Sequence, residues 1–430
     1  MSGNVGDSHQ KPVSGALPLP DGELLSWSED TTLKVWSLTT GACRVTLTGH
    51  ADAILGALSL PEGEALSWSD DGSLKIWGLS TGRCRVTLSG HEDVVRGALP
   101  LPEGEVLSWS NDGTLKVWNL ATGTCRVTLA EHEDVVWGAL TLRGGEVLSW
   151  SSDATLKVWN LATGACRVSL AGHREAVVGA LPLPEGEALS WSDDGTLKVW
   201  NLATGACRMT LAGHDLEVWG ARPLPGGEAL SWSSDGTLRV WNLATGTCRI
   251  ILDGEEDSIR GALPLPTGEL LSWGEGDSRH RVAFGRFGGY SELTWEAGNT
   301  LKLWNLATGA CLVDYATGLS KMGVLPLPEG GVLLWGDGIV HSVLDDEADD
   351  DLDDDQIGSA SFLEAWNPSD SSDEVQFELG GAVPPELPCG GALLLAGGEV
   401  LTWHGNTLTV WDRSQGLPRL RLGVRRRRGR

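Results

Sequence analysis

The sequence is poor in aromatic residues other than tryptophan, with 2 Tyr and 4 Phe beside 21 Trp. It is also short of positive charge, because 32 Lys and Arg face 58 Asp and Glu and leave a net charge of −26. The run 345–355 carries nine negative charges, so the remainder still holds −17 of the −26. Affinity for nucleic acid depends on clustered Lys and Arg. We therefore expect no nucleic-acid partner.

Long apolar runs are missing as well. No stretch of eighteen apolar residues occurs, and the first fifteen residues lack the basic start and apolar core of a secretion signal. These absences predict a soluble cytoplasmic protein with no membrane partner. No Gly-rich phosphate loop opens a helix, so no cofactor is expected.

Paired metal ligands are absent too, since the sequence holds neither a C-x-x-C nor an H-x-x-x-H pair. We expect no metal site. Six of the eight Cys residues recur in steps of 41, from Cys43 to Cys248. At one place in a repeat, they are expected to be small buried side chains in a reducing compartment rather than disulfides.

The sequence does contain an internal repeat of 41 residues, marked by the motif L-S-W. A second Trp follows nine residues later in the first six units, Trp304 closes the seventh, and two further units have altered spacing. Nine units result. The L-S-W tryptophans are Trp27, Trp68, Trp109, Trp150, Trp191, Trp232 and Trp273. The second tryptophans are Trp36, Trp77, Trp118, Trp159, Trp200 and Trp241, and the last two units are built on Trp335 with Trp366 and on Trp403 with Trp411.

Each unit reads as four short strands separated by turn signals such as P-E-G, D-D-G and A-T-G, because Asp and Gly tolerate the positive φ of tight turns. Bulky and small residues alternate along the second strand, so that identical sheets can stack around an axis. We predict an all-β fold, a single closed β-propeller of four-stranded blades over 9–423, followed by a basic tail at 424–430. Nine blades are favoured, and eight blades with one degenerate unit displaced are the alternative.

The repeated tryptophans are expected in the core. Burying roughly 200 Å² per indole at about 25 cal/mol/Å² gives an upper bound of about 5 kcal/mol each. Such a residue would not be left in water in every unit.

The segments G-H, S-x-S-x-D and L-K-V-W-N-L resemble the WD-repeat family over most of the chain. The resemblance implies a hydrogen-bonded Asp, His, Ser and Trp tetrad in each blade, which in the second unit matches His50, Asp71 and Trp77 with Ser67 or Ser69. The family's W-D pair is here mostly W-N, Glu255 replaces the seventh His, and the eighth and ninth units lack recognisable tetrads. The third to sixth units match at His91, Asp112 and Trp118, at His132, Asp153 and Trp159, at His173, Asp194 and Trp200, and at His214, Asp235 and Trp241.

Ser, His and Asp in every unit could suggest a hydrolase triad. Five near-identical copies, each with its Trp, instead indicate structural tetrads. We therefore expect no catalytic residues and no enzymatic activity.

The units differ most just after the G-H turn, whereas the A-T-G and P-E-G turns are nearly uniform. In the topology that the resemblance implies, this segment lies at the top end of the ring, beside the mouth of a central channel. Exposed Trp and Arg are enriched at binding hot spots. We expect a partner-binding surface here, with neutral drift in loops as the alternative. The fifth residues after the His position are Leu55, Arg96, Trp137, Val178, Trp219 and Arg260.

Two insertions, near 275–298 and 339–360, fall between the second and third strands of the seventh and eighth units. The first carries Phe284, Arg286, Phe287 and Tyr290, an aromatic and basic mixture suited to protein contact. The second holds the acidic run, for which a solvated loop, capture of a basic partner and docking of the Arg-rich tail stay open.

These features together predict a non-enzymatic platform, acting as a sensor, adaptor or regulatory subunit. It would read a protein or peptide, including a separate effector subunit, through the top face and channel mouth. Near-identical units that vary on one face resemble recently amplified propellers of sensor and adaptor modules. An assembly scaffold or inhibitory subunit that binds through the side of the ring is the alternative.

Overall fold

The structure is a computed structural model that describes residues 8–253 without interruption and parts of the chain beyond. The later described ranges are 258–265, 268–275, 281–283, 292–294, 299–316, 319–326, 332–340, 358–366, 389–395, 399–404, 406–412 and 417–422.

The described chain forms successive antiparallel sheets, each made from four strands in sequence order, which confirms the all-β prediction for sheets 1 to 6. Short 3-10 turns at Pro20–Gly22, Pro61–Gly63, Pro102–Gly104 and Pro184–Gly186 join first and second strands. The strands of sheets 1 to 3 are β1 (Val13–Leu19), β2 (Glu23–Ser28), β3 (Thr32–Ser37), β4 (Cys43–Thr48), β5 (Ile54–Leu60), β6 (Glu64–Ser69), β7 (Ser73–Gly78), β8 (Arg83–Ser89), β9 (Val95–Leu101), β10 (Glu105–Ser110), β11 (Leu115–Asn119) and β12 (Thr124–Leu129). Those of sheets 4 to 6 are β13 (Val136–Thr141), β14 (Glu146–Ser151), β15 (Thr155–Asn160), β16 (Ala165–Ala171), β17 (Val177–Leu183), β18 (Glu187–Ser192), β19 (Thr196–Asn201), β20 (Cys207–Ala212), β21 (Val218–Leu224), β22 (Glu228–Ser233), β23 (Thr237–Asn242) and β24 (Cys248–Asp253).

The later sheets depart from this plan. Sheet 7 has four strands with a hairpin inserted between its second and third, as the insertion near 275–298 predicts, and sheet 8 has three strands within the described ranges. Sheet 9 again has four. Their strands are β25 (Ser258–Pro264), β26 (Glu269–Glu275), the hairpin β27 (Arg281–Ala283) and β28 (Glu292–Thr294), β29 (Asn299–Asn305), β30 (Cys311–Ala316), β31 (Leu319–Pro326), β32 (Val332–Val340), β33 (Gly358–Trp366), β34 (Cys389–Leu394), β35 (Val400–His404), β36 (Thr407–Asp412) and β37 (Leu417–Leu422).

Tryptophan fills the space between neighbouring sheets. Trp118 of sheet 3 is buried against Leu66, Ile76 and Leu88 of sheet 2, and the same cluster recurs around the molecule. The second tryptophans of units 1 to 7 and 9 are almost fully buried, whereas the L-S-W tryptophans are half-buried at the edge of the same clusters. The core role predicted for the described tryptophans is therefore confirmed.

The first and last sheets share a core of their own. Val13 and Trp36 of sheet 1 pack with Leu401, Leu408 and Val410 of sheet 9. Sheet 8 lies between sheets 7 and 9, because β31 lies against β29 on one side and against β34 on the other.

The first strand of each sheet is the innermost. β1 lies against β5, β5 against β9, and β13 against β17, and the series continues through β21 to β25. Contacts between successive first strands are consistent with blades that are arranged about an axis, as in a propeller. Residues at the start of these strands therefore lie near the axis, at one end of the molecule.

In sheets 2 to 6, an arginine on the fourth strand ties the sheet to the next one at the opposite end. Arg85 donates two hydrogen bonds to Glu64 of its own sheet and a third, of 3.1 Å, to the carbonyl oxygen of Leu120 in sheet 3. Arg126 does the same with Glu105 and the carbonyl oxygen of Leu161. The joint between sheets thus repeats along with the sequence.

The expectation that the cysteines are buried is wrong. Among the described cysteines, Cys84, Cys125, Cys207 and Cys311 are exposed, Cys43, Cys166 and Cys248 are half-buried, and none forms a disulfide. Each is the first or second residue of the outermost strand, next to a register shift such as the one where Trp77 pairs with Cys84. This place at the edge of the sheet leaves four thiols exposed, whereas Cys43, Cys166 and Cys248 still pack against the clusters between sheets.

Candidate functional site

The six variable residues occupy one structural position, which we call the variable arc: Leu55, Arg96, Trp137, Val178, Trp219 and Arg260. Each is the extra residue of a β-bulge at the start of a first strand. In sheet 3, Val95 pairs with Ser110 and Gly97 pairs with Trp109, so Arg96 between them has no partner in the ladder. A bulge re-aims its extra side chain. Here it turns the arc residues out of the ladder at the start of each first strand.

The unchanged Gly after each arc residue has a steric cause. A Cβ added to Gly97 would lie 2.2 Å from Cζ2 of Trp109 on the next strand, and the same contact recurs in sheets 1 to 7. Only glycine lets the indole cover the backbone there. The L-S-W tryptophan thereby fixes the bulge that presents the arc.

Exposure of the arc residues follows the prediction only in part. Arg96, Trp137, Trp219 and Arg260 are exposed, and 42% and 47% of the two Trp surfaces are open, which is high for residues of this size. Leu55 and Val178 are half-buried. The arc is thus an uneven surface with large side chains on either side of smaller ones.

Neighbouring arc residues contact each other in two places. The Arg96 guanidinium lies over the Trp137 ring at 5.2 Å, and that of Arg260 lies over the Trp219 ring at 4.3 Å. Arg96 Nε also donates to Asn111 at 2.7 Å, and Trp137 Nε1 donates to Ser152 at 2.7 Å. The spacing of 41 residues gave no sign of these pairs, which hold both indoles in fixed orientations.

The predicted site residues of the first insertion, Phe284, Arg286, Phe287 and Tyr290, lie outside the described residues, as do the acidic run and the tail at 424–430. Their part in binding remains a prediction.

Below the arc, each of sheets 1 to 6 holds a hydrogen-bonded tetrad. In sheet 2, His50 Nδ1 is 2.8 Å from Asp71, and His50 Nε2 is 2.8 Å from Ser67 Oγ, to which Trp77 Nε1 donates at 2.8 Å. The indole N–H is only a donor, so Ser67 donates its own proton to His50 Nε2 and His50 Nδ1–H donates to Asp71. Of the two hydroxyls that the sequence allowed, Ser67 is the member.

The remaining sheets show more of the tetrad than the sequence indicated. Sheet 1 has a complete set from His9, Ser26, Asp30 and Trp36, which sequence analysis missed although His9 lies one step of 41 residues before His50. Sheet 7 keeps the bond from Trp304 to Ser272, and sheet 9 keeps one from Trp411 to Thr402, both at 2.8 Å. The ninth unit, which was expected to lack a recognisable tetrad, thus keeps one of the tetrad's hydrogen bonds.

The tetrads anchor the loops that lead into the arc. Asp71 accepts the backbone N–H of Ala51 and the hydroxyl of Ser73, and Ser69 Oγ donates to the carbonyl oxygen of Asp52. The Ser73 position, a Thr in the other five tetrads, is a fifth member that the sequence did not reveal.

Charge in the tetrad is fixed by the same contacts. Burial alone would raise the pKa of Asp71, but the hydrogen bonds from His50, Ser73 and Ala51 outweigh it and hold the pKa well below its usual range. Burial lowers the pKa of His173, although its Asp194 neighbour favours the protonated ring. A neutral imidazole between a hydroxyl and a carboxylate results. Its Ser oxygen is occupied by the indole N–H, which suits packing rather than nucleophilic attack.

Negative charge surrounds the arc. Two short stretches of sheets 2 to 6 flank the arc: the residues between the tetrad His and the arc, and the residue just before the tetrad Asp. Together these stretches carry ten carboxylates and one arginine, Arg174, while Arg96 belongs to the arc itself. Burial and nearby carboxylates raise the pKa of Asp70 and of Asp193. The ten are Asp52, Asp70, Glu92, Asp93, Glu133, Asp134, Glu175, Asp193, Asp215 and Glu217.

Metal binding and membrane insertion were also considered as properties of the described residues. Among residues 8–253 and the later described ranges, no group of three His, Cys, Asp or Glu side chains is placed to hold a metal ion. No helix in the same ranges is long and apolar enough to cross a membrane.

Comparison with known proteins shows which family model and which solved structure the chain is similar to. Residues 82–119 and 205–242 match the WD40 family model, described as WD domain, G-beta repeat. A solved structure, that of the computationally designed Ika8 protein, is 26% identical, with a TM-score of 0.54 over 76% of this chain and 94% of that one. No curated protein matches the chain.

Proposed function

We propose that this chain, which contains WD40 repeats at two positions, works as a non-enzymatic platform that binds a protein or peptide through the variable arc. WD repeats generally mediate protein interactions as scaffolds or adaptors. The observation that carries the proposal is the pair of exposed tryptophans, Trp137 and Trp219, each held on a β-bulge under an arginine. Large indoles left partly in water and already oriented are typical of binding hot spots, because little side-chain entropy is lost on binding.

We propose further that the nine sheets close into one ring. The core shared by sheets 1 and 9 supports closure, and the position of sheet 8 between sheets 7 and 9 supports nine blades rather than eight. A closed ring would hold the arc residues rigidly around the mouth of the channel. We place this platform in the cytoplasm, where free thiols such as those of the repeat persist.

Affinity capture from a lysate of the source cells tests the arc. The variant changes Arg96, Trp137, Trp219 and Arg260 to Val, the residue that sheet 5 carries at this position. We expect the variant to lose a protein that the unchanged chain retains, because the aromatic anchors of the surface are gone.

A matched control changes Asp21 to Asn and Glu62, Glu103 and Glu185 to Gln. These four residues lie in turns at the opposite end of the ring, so this control should capture the same protein as the unchanged chain. Equal capture by all three proteins would show that the arc is not the recognition surface.

One observation favours the ring side as a second candidate surface. Ile251 and Leu312, on the outermost strands of sheets 6 and 7, are 53% and 50% exposed. The residue equivalent to Ile251 is Thr or Ser in units 1 to 5, and the residue equivalent to Leu312 is Arg in units 1 to 6. Changing Ile251 to Thr and Leu312 to Arg restores the repeat, and loss of capture in this variant alone would identify a scaffold that binds through its side.

A further inference from the structure

The arc has a symmetric order over five consecutive sheets. From sheet 3 to sheet 7 it reads Arg96, Trp137, Val178, Trp219 and Arg260. Each arginine lies on the tryptophan next to it, away from sheet 5. The smaller, half-buried Val178 therefore sits between two indoles that are stacked on their outer sides. We call the space over Val178 the gap.

A carboxylate faces the gap from the same sheet. In sheets 3 and 4 the residues opposite the arc, Asn111 and Ser152, accept hydrogen bonds from Arg96 and Trp137. The equivalent residue in sheet 5 is Asp193, and Val178 has no donor to offer it. Within the described chain no hydrogen bond to the Asp193 carboxylate is formed.

The charges around Asp193 all have one sign. The groups that act on it are Glu217, Glu175 and Asp194, and together with burial they raise its pKa. Asp70, the other Asp at this position in sheets 1 to 6, has Arg96 nearby to oppose the repulsion. Asp193 is thus surrounded by carboxylates whose repulsion a cation at this point would relieve.

We propose that the gap binds a lysine or arginine side chain of the partner, with its stem between Trp137 and Trp219 and its charge beside Asp193. This proposal rests on the proposed function and adds the chemistry of the partner, a basic peptide segment. The stacks of Arg96 and Arg260 show that both indoles accept a guanidinium on a face. The excess of carboxylates around the arc would steer such a segment towards it.

The probes are four fluorescein-labelled nonapeptides in which Gly alternates with Arg, Lys, citrulline or Glu. Citrulline matters most, because it keeps the shape of arginine without its charge. Binding to the full chain is measured by fluorescence anisotropy at low and physiological salt. We expect the Arg and Lys peptides to bind at least about tenfold more tightly than the citrulline peptide, and the Glu peptide not to bind.

The repeat itself supplies variants that the fold tolerates. Val178→Trp fills the gap with the residue found at this position in sheets 4 and 6, and Asp193→Asn removes the charge with the residue found in sheet 3. Each substitution should weaken the binding of the Arg peptide by about tenfold. Leu55→Trp fills the arc outside the gap, and Glu185→Gln removes one charge at the opposite end of sheet 5. Both controls should stay within about twofold of the unchanged chain.

Equal affinity in all four variants, or no preference for the Arg peptide over citrulline, would overturn the inference. The capture experiment separates this failure from failure of the proposed function. A protein lost from the four-residue Val variant but retained by Val178→Trp and Asp193→Asn would leave the arc as the binding surface and remove the cationic gap. Retention by every variant would remove both.

Discussion

At the scale of single residues, the hydroxyl of each tetrad serves two buried groups at once. Ser67 accepts from the indole of Trp77 and donates to the ring of His50, and the loop before the arc is held by Asp71 on the far side of that ring. Removal of this one oxygen would therefore disturb both the packing of the core and the loop before the proposed binding surface.

Ser67→Ala should lower the free energy of unfolding by about 2–4 kcal/mol, because it leaves a buried indole N–H and a buried imidazole nitrogen without partners. Urea denaturation followed by circular dichroism measures the loss. Ser59→Ala is the matched control, since Ser59 is exposed on the first strand of the same sheet. Equal midpoints for the two variants would contradict the role of the tetrad.

The sequence identified the residue types of the tetrad but could not choose between Ser67 and Ser69. Both lie on one face of a strand at a spacing of two, so periodicity treats them alike. His9 was missed because it precedes the first strand of the first unit, although it lies 41 residues before His50. The arc positions could be found by comparing units, whereas the stacks within the arc depend on how neighbouring sheets meet, which no spacing along the chain encodes.

At the scale of the strand, the recurrent β-bulge links core packing to display. The L-S-W tryptophan covers a glycine of the first strand, and the residue before that glycine is pushed out of the ladder. The turn residues predicted the strand limits well, because D-G and P-E-G constrain the backbone locally. The bulge was not predicted, since it arises from a contact across two strands.

Gly97→Ala should destabilise the protein by about 1–3 kcal/mol, because the added methyl group must displace the Trp109 indole. In a Trp109→Ala background the same change should cost little, since the obstructing ring is gone. A double-mutant cycle from denaturation midpoints tests this coupling. Additive effects of the two substitutions would mean that the indole does not fix the bulge.

At the scale of the whole molecule, the step of 41 residues predicted nine similar units, and the structure shows a sheet for each. The sequence could not decide between rings of eight and nine blades. The seventh and eighth units lose their regular spacing, and closure depends on contacts such as that between Trp36 and Leu408, which are far apart in the chain.

Rotationally unaligned class averages from electron microscopy of the full chain should show a ring of nine lobes viewed along the axis. The reason is that sheet 8 lies in line between its neighbours and that sheets 9 and 1 share a core. Eight lobes with extra density outside the ring would instead indicate that sheet 8 is displaced.

The arginine that joins each of sheets 2 to 6 to the following sheet affects how the number of repeats can change in evolution. Arg85 donates to a backbone carbonyl of the following sheet, and Arg126 and Arg208 likewise each donate to a backbone carbonyl of the sheet that follows their own. The acceptor is main chain, so the joint does not depend on which copy comes next. Duplication or loss of one repeat of 41 residues in the gene would recreate the same arginine–carbonyl contact between the new neighbours. The number of sheets can therefore vary while the packing of each sheet against the next stays the same.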